Sequence, residues 1–166
     1  MSTFLTVSSA LFAQGKSVRF EVEGWSMRPC IRNGDFVTVS PVDPGAVKIG
    51  DIVFYVAENN VVLIHRIIGW RRKNGVPHAF IKGDACFGPP DKVPVQNIVG
   101  RVVSIERNGR KKRLDMAYQR LLGWIVVTIS PLTIWGVPTL TRRKRIRLMI
   151  SQKVVHKMDF LRDHYC

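Results

Sequence analysis

Apolar residues recur at a period of two over the first two thirds of this chain and then merge into one unbroken run. Val18, Phe20 and Val22 alternate with Arg19, Glu21 and Glu23, as expected where one face of a strand is buried. Short β-branched and aromatic runs follow at Phe36 to Val39, Ile52 to Val56, Val61 to Ile68, Ala79 to Ile81 and Ile98 to Ile105. Turn-forming residues separate them, at Asn33-Gly34-Asp35, Asp43-Pro44-Gly45, Gly50-Asp51 and Asn74-Gly75. Asn108-Gly109 has the composition of a two-residue hairpin turn. Six short strands with tight turns predict a mainly β fold, an antiparallel coiled or barrel-like body.

Before the first strand, Phe4 to Ala13 is apolar for about ten residues. No Lys or Arg precedes it, and Leu11 occupies the place where a small-x-small cleavage pattern ending at Ala13 would need a small residue. The pattern predicts a short amphipathic helix ending near Gly15 rather than a cleavable leader or a spanning anchor. After the last strand come the basic run Arg110 to Arg113, the uncharged stretch Leu121 to Leu140, and a second basic run, Arg142 to Arg147, opening a helical-looking segment that continues to Cys166. The expected organisation is an N-terminal helix over 1–15, a β domain over 16–114 and an apolar, basic helical tail over 115–166.

Composition narrows the class. With 46% apolar and 23% charged residues the chain is not disordered as a whole. At 166 residues it needs neither metal nor disulfides to stabilise a core. Cys30, Cys86 and Cys166 are odd in number, far apart and without a C-x-x-C pair, which argues against a disulfide scaffold or a zinc ribbon. The net charge of +14 is unevenly spread. Residues 1–105 hold 12 Lys/Arg and 8 Asp/Glu, a net of +4; residues 106–166 hold 14 and 4, a net of +10.

The basic tail brackets the one long apolar stretch. A straight helix over Leu121 to Leu140 would be about 30 Å long, the thickness of a hydrocarbon core. Pro131 near its centre would kink or break it, and Pro138, Gly123, Gly136 and the hydroxyls of Thr128, Ser130 and Thr133 weaken it further. Basic residues on both sides give no orientation. The expectation is a surface-lying or re-entrant element on an anionic membrane, held through Arg110 to Arg113, Leu121 to Leu140 and Arg142 to Arg147. The alternative is a helix pair packed on the β body. Nucleic acid is disfavoured as a partner, because the basic runs carry no interleaved aromatics and no recognised nucleic-acid motif.

The chemistry concentrates in a few positions: Gly24-Trp25-Ser26-Met27-Arg28-Pro29, then Gly50-Asp51, His65, Lys82-Gly83-Asp84 and Asp91. A serine hydroxyl is a weak nucleophile at neutral pH and needs an adjacent base, itself held by a third group. In a strand through Val61 to Ile68, His65 shares a face with Val61, Leu63 and Ile67, an odd place for an imidazole without a partner. A histidine's ordinary pKa near 6.5 suits a base at neutral pH. The bland readings are a serine in a turn and a core histidine satisfied by a backbone carbonyl. Gly34-Asp35 and Gly50-Asp51 read as architectural turns, Cys30 and Cys86 as packed thiols. His78, His156 and His164 have no ligand-like spacing, so no metal or cofactor is expected.

These elements, in this order, resemble the signal peptidase superfamily of serine proteases, which includes the self-cleaving repressors of the bacterial SOS response. The resemblance covers roughly residues 15–108, with Gly-x-Ser-Met-x-Pro, the Gly-Asp dipeptides and His65-Arg66 as its most specific parts. Where many members place a lysine base, this chain has His65, as in the endoplasmic-reticulum and archaeal branch. The resemblance implies a coiled antiparallel β body of signal-peptidase type, with Ser26 as nucleophile, His65 as general base, Asp91 or Asp84 orienting His65, and the Ser26 N–H receiving the oxyanion. It implies a peptide or preprotein substrate cleaved near a membrane. Self-processing of the repressor type and a non-catalytic basic module binding lipid or nucleic acid are the alternatives; the 25 residues before a serine at position 26 are expected to be too few for a helix-turn-helix domain.

Three departures stand out. Gly24 replaces the serine that in many relatives helps hold the oxyanion, and the stretch Ala85 to Pro90 lacks the usual polar residues. The apolar segment also follows the β body, whereas the relatives' anchor usually precedes the serine.

Overall fold

The computed structural model describes residues 3–57 and 61–114, which form a helix, α1 (Thr3–Ala13), and eight strands. The strands are β1 (Val18–Glu21), β2 (Phe36–Pro41), β3 (Ile52–Val56), β4 (Val62–Lys73), β5 (Val76–Lys82), β6 (Asp91–Pro94), β7 (Ile98–Arg107) and β8 (Arg110–Arg113). All pair antiparallel in one sheet, in the order β1-β2-β7-β3-β4-β5-β6, with β8 added on β7. The chain is thus mainly β with one short helix. The expected tail, residues 115–166 with Leu121 to Leu140 and Arg142 to Arg147, lies outside the described residues. Among the described residues no helix is long and apolar enough to cross a membrane.

Strand β3 explains why the sheet is covered on both sides. Its sequence, Ile-Val-Phe-Tyr-Val, has no polar alternate, so neither face can be left in water. Ile52 and Phe54 join one apolar cluster with Phe12, Val18, Phe20, Val37, Val39 and Ile64. Val53 and Tyr55 point the other way, into a second cluster with Ile67, Ala79, Ile81, Val93 and Ile98. Helix α1 closes the first cluster: Phe12 meets the Phe54 ring edge-on, centroids 5.8 Å apart at 79°. Gly15 ends the helix in the left-handed region (φ 73), its N–H donating to the Phe12 carbonyl at 2.9 Å.

Two elements differ from the sequence pattern for identifiable reasons. The β4–β5 hairpin extends well beyond Ile68, through Trp70 to Lys73, and back from Val76. These residues are exposed, so burial leaves no period to read. Their pairing is set by the Asn74-Gly75 turn, in which both residues have positive φ (50 and 79). Asn108-Gly109 does the same for β7–β8, with φ 51 and 73. Strand β6 was not expected: among its four residues only Val93 is buried, and it ends in proline.

At Gly100 of β7 the packing is close enough to exclude a side chain. A Cβ there would sit 2.6 Å from Val39 Cγ1 and 2.9 Å from the Ser40 carbonyl oxygen. Gly100→Ala is therefore expected to cost about 1–3 kcal/mol of stability, read as a lower urea midpoint at unchanged slope. A midpoint equal to the parent's would show that the contact yields without cost.

Candidate active site

The loop from Gly24 to Ile31 is shaped by one glycine and two apolar anchors. Gly24 takes φ 117, which side-chain-bearing residues rarely adopt, and its N–H donates to Asn33 Oδ1 at 2.9 Å. Met27 and Ile31 are fully buried in the first cluster, and Ile31 N–H closes onto the Met27 carbonyl at 2.9 Å. Ser26 is thereby held half-buried between a buried methionine and the exposed Trp25, whose ring carries the Arg28 guanidinium at 3.8 Å.

A second loop, after β5, docks on the first. Ala85 N–H donates to the Ser26 carbonyl at 2.8 Å. Gly83 lies so close that a Cβ there would be 2.7 Å from the Ser26 carbonyl oxygen, 3.1 Å from Ser26 Cβ and 2.6 Å from Cys86 Sγ. Glycine at 83 is thus a requirement of approach, as a backbone pressed against another backbone needs.

His65 lies on β4 opposite Val53, with its side chain in the second cluster and 8% exposed. Its Nε2 is 3.0 Å from Ser26 Oγ. Burial pushes the imidazole below its ordinary value of 6.5, opposed by the carboxylates of Asp91 and Asp84. Its other nitrogen, Nδ1, meets neither aspartate: it is 3.0 Å from the hydroxyl of Tyr55. Tyr55 O–H donates in turn to Asp91 Oδ2 at 3.0 Å. Burial and the adjacent Asp91 raise the phenol far above neutrality, so it stays protonated.

Asp84 does something else. It grips Arg66, with Nε to Oδ1 at 2.8 Å and Nη2 to Oδ2 at 2.7 Å, while Arg66 Nη1 donates to the Gly50 carbonyl at 2.8 Å. Arg66 has no exposed surface and the Asp84 side chain is 3% exposed. Of the two aspartates named from the sequence, Asp91 reaches His65 only through Tyr55, and Asp84 neutralises the neighbouring residue on β4. Tyr55 is the group the sequence reading missed. A signal was present: a tyrosine inside a fully apolar strand has a hydroxyl that must find a partner.

The two Gly-Asp dipeptides are turns. Gly50 takes φ 95, and Asp51 accepts the Lys48 N–H at 2.9 Å. Asp35 accepts the Arg32 N–H at 2.7 Å and both arms of Arg107 at 2.8 and 2.6 Å. Burial works to raise its carboxyl, but these donors outweigh it and hold it below the usual range. Burial pushes the thiols of Cys30 and Cys86 up, so neither is a thiolate at neutral pH. Among the described residues no three His, Cys, Asp or Glu side chains gather as metal ligands.

Comparison with protein-family models, with curated proteins and with solved structures gives no match.

The buried ion pair makes a prediction independent of any activity. Asp84→Ala leaves the Arg66 charge without a counterion and is expected to cost about 3–5 kcal/mol, whereas replacing both members, Arg66→Met with Asp84→Leu, costs less. Chemical denaturation of the two variants checks this. A double replacement worse than the single one would contradict it.

Proposed function

We propose that this chain is a serine endopeptidase of signal-peptidase type, with Ser26 as nucleophile and His65 as general base. The observation that carries the reading is the 3.0 Å contact between Ser26 Oγ and His65 Nε2, formed by a half-buried serine and a desolvated histidine. A hydroxyl and a base within hydrogen-bond reach, on separate rigid elements, meet the geometric requirement for nucleophilic catalysis. The motif resemblance supplies the substrate class, a peptide or preprotein; the geometry supports the chemistry.

In this reading Ser26 Oγ attacks the scissile carbonyl carbon as its proton passes to His65 Nε2. The tetrahedral oxyanion is received by the Ser26 backbone N–H, in a loop fixed by Gly24 and Met27. Collapse breaks the C–N bond, and His65 returns the proton to the departing amine. Water then attacks the acyl-serine, His65 takes its proton and gives it back to Ser26 as the acid product leaves. With Gly24 in place of a hydroxyl-bearing residue, the oxyanion receives one donor fewer than in many relatives, a difference of about 10²-fold in rate. Slow turnover is expected.

The place of work is proposed to be an anionic membrane surface. Support comes from β8, an edge strand whose four residues, Arg110, Lys111, Lys112 and Arg113, are all exposed. Such a strip is attracted by about 1 kcal/mol per basic residue near anionic lipid.

The purified chain is expected to react with a fluorophosphonate probe and to cleave peptides, with Ser26→Ala and His65→Ala each lowering kcat by about 10³-fold or more. Variants that cleave as fast as the parent would end the proposal. Salt-sensitive lipid or nucleic-acid binding without any hydrolysis would favour a non-catalytic basic module instead.

The pH profile gives a second check. Because burial favours the neutral imidazole, the base stays deprotonated at pH values where an exposed histidine is half charged. The acidic limb of kcat/KM is therefore expected to have its midpoint below 6.5. A midpoint above 6.5 would contradict the assignment of His65 as the base.

A further inference from the structure

We propose that Tyr55 is the positioning residue of this site: it fixes which nitrogen of His65 carries the proton, and Asp91 acts on the imidazole only through it. The positioning role rests on the serine–histidine reading above; the proton's location does not.

The number of hydrogens available fixes the direction of each bond. A carboxylate can only accept, so the contact between Tyr55 Oη and Asp91 Oδ2 at 3.0 Å uses the one phenolic proton. With that proton committed, Tyr55 can meet His65 Nδ1, also at 3.0 Å, only as an acceptor. Nδ1 must then carry the hydrogen. In a neutral imidazole this leaves Nε2 bare, with its lone pair toward Ser26 Oγ at 3.0 Å, and the serine hydroxyl donates to it. All three hydrogen bonds run one way, from Ser26 to His65 to Tyr55 to Asp91.

The opposite arrangement shows what is at stake. If Tyr55 donated to Nδ1, the ring proton would move to Nε2 and point at Ser26, and the histidine could not accept the serine's proton. Tyr55 alone is compatible with both directions, since its hydroxyl donates or accepts equally well. What selects the productive one is Asp91, at the exposed start of β6, which draws the phenolic proton away from the imidazole. The Tyr55 ring itself is buried on β3, so its oxygen is held in place by packing. The arrangement differs from a carboxylate bonded directly to the imidazole, in which the tautomer and the counter-charge come from the same group.

The test reads the ring nitrogens of His65 by ¹⁵N NMR, in the neutral form, on the full chain. The parent is expected to show hydrogen on Nδ1. Asp91→Ala frees the phenolic proton, and the signal is expected to move toward hydrogen on Nε2. Tyr55→Phe, which keeps the ring and removes the oxygen, is expected to give a mixture of tautomers. In kinetics, Asp91→Ala is expected to lower kcat by about 10²–10⁴-fold with KM little changed, and Tyr55→Phe by less. Adding Asp91→Ala to Tyr55→Phe is expected to change neither tautomer nor rate further.

Hydrogen on Nε2 in the parent would overturn the proposal, as would an Asp91→Ala cost of equal size with and without Tyr55, which would make Asp91 a direct partner. Conserved backbone amide spectra mark the variants as folded. The expected tautomers in a chain that hydrolyses nothing would support the Tyr55 assignment while refuting the peptidase reading.

Discussion

Arg66 has no contact with solvent, and a guanidinium stays charged in such a place only if its charge and its donors are answered. Asp84 answers the charge with two short hydrogen bonds, and the Gly50 carbonyl takes a third donor. These three residues come from β4, from the loop after β5 and from the turn before β3. The interaction therefore locates Gly83 beside Asp84, and Gly83 is the surface on which the Ser26 loop rests. It also holds Arg66, next to His65 in sequence, so the backbone is clamped one residue from the imidazole. The ion pair thereby bears on the distance between Ser26 and His65 without touching either side chain.

Much of the fold was legible because burial alternates along β1, β2 and β7 and is nearly continuous along β3. The alternation of Val18, Phe20 and Val22, and the β-branched runs from Phe36 to Ile105, mark strands correctly where one or both faces are covered. The signal ends where burial ends. Trp70 to Lys73 pair through an Asn-Gly turn without any apolar face, and β6 buries one residue, so neither leaves a period. For the same reason the ends of the β4–β5 hairpin were legible only in its turn.

The site was legible in its residue types and not in its connectivity. His65 stood out as an imidazole on an apolar strand face, while Ser26, Asp84 and Asp91 were picked out by the motif resemblance. Which aspartate faces which base depends on strand register: Arg66 pairs with Lys82 while Ile81 pairs with Asp91. That offset sends Asp84 to the guanidinium and brings Asp91 to the face of Tyr55. No spacing in one dimension encodes it. Tyr55 was hidden by its surroundings, since four apolar neighbours make a tyrosine read as filling.

His65 and Arg66 are consecutive on one strand and so project to opposite faces of the sheet, one onto Ser26 and one onto Asp84. This makes the site digital with respect to the pairing of β4. A slip of one position would bring Arg66 to Ser26 and Ile67 to Asp84, or, in the other direction, Ile64 to Ser26 and His65 to Asp84, losing the Ser26–His65 contact and the ion pair in the same event. The Asn74-Gly75 turn, together with the irregularity between Ile67 and Gly69, thus fixes whether His65 meets Ser26 as an all-or-none choice.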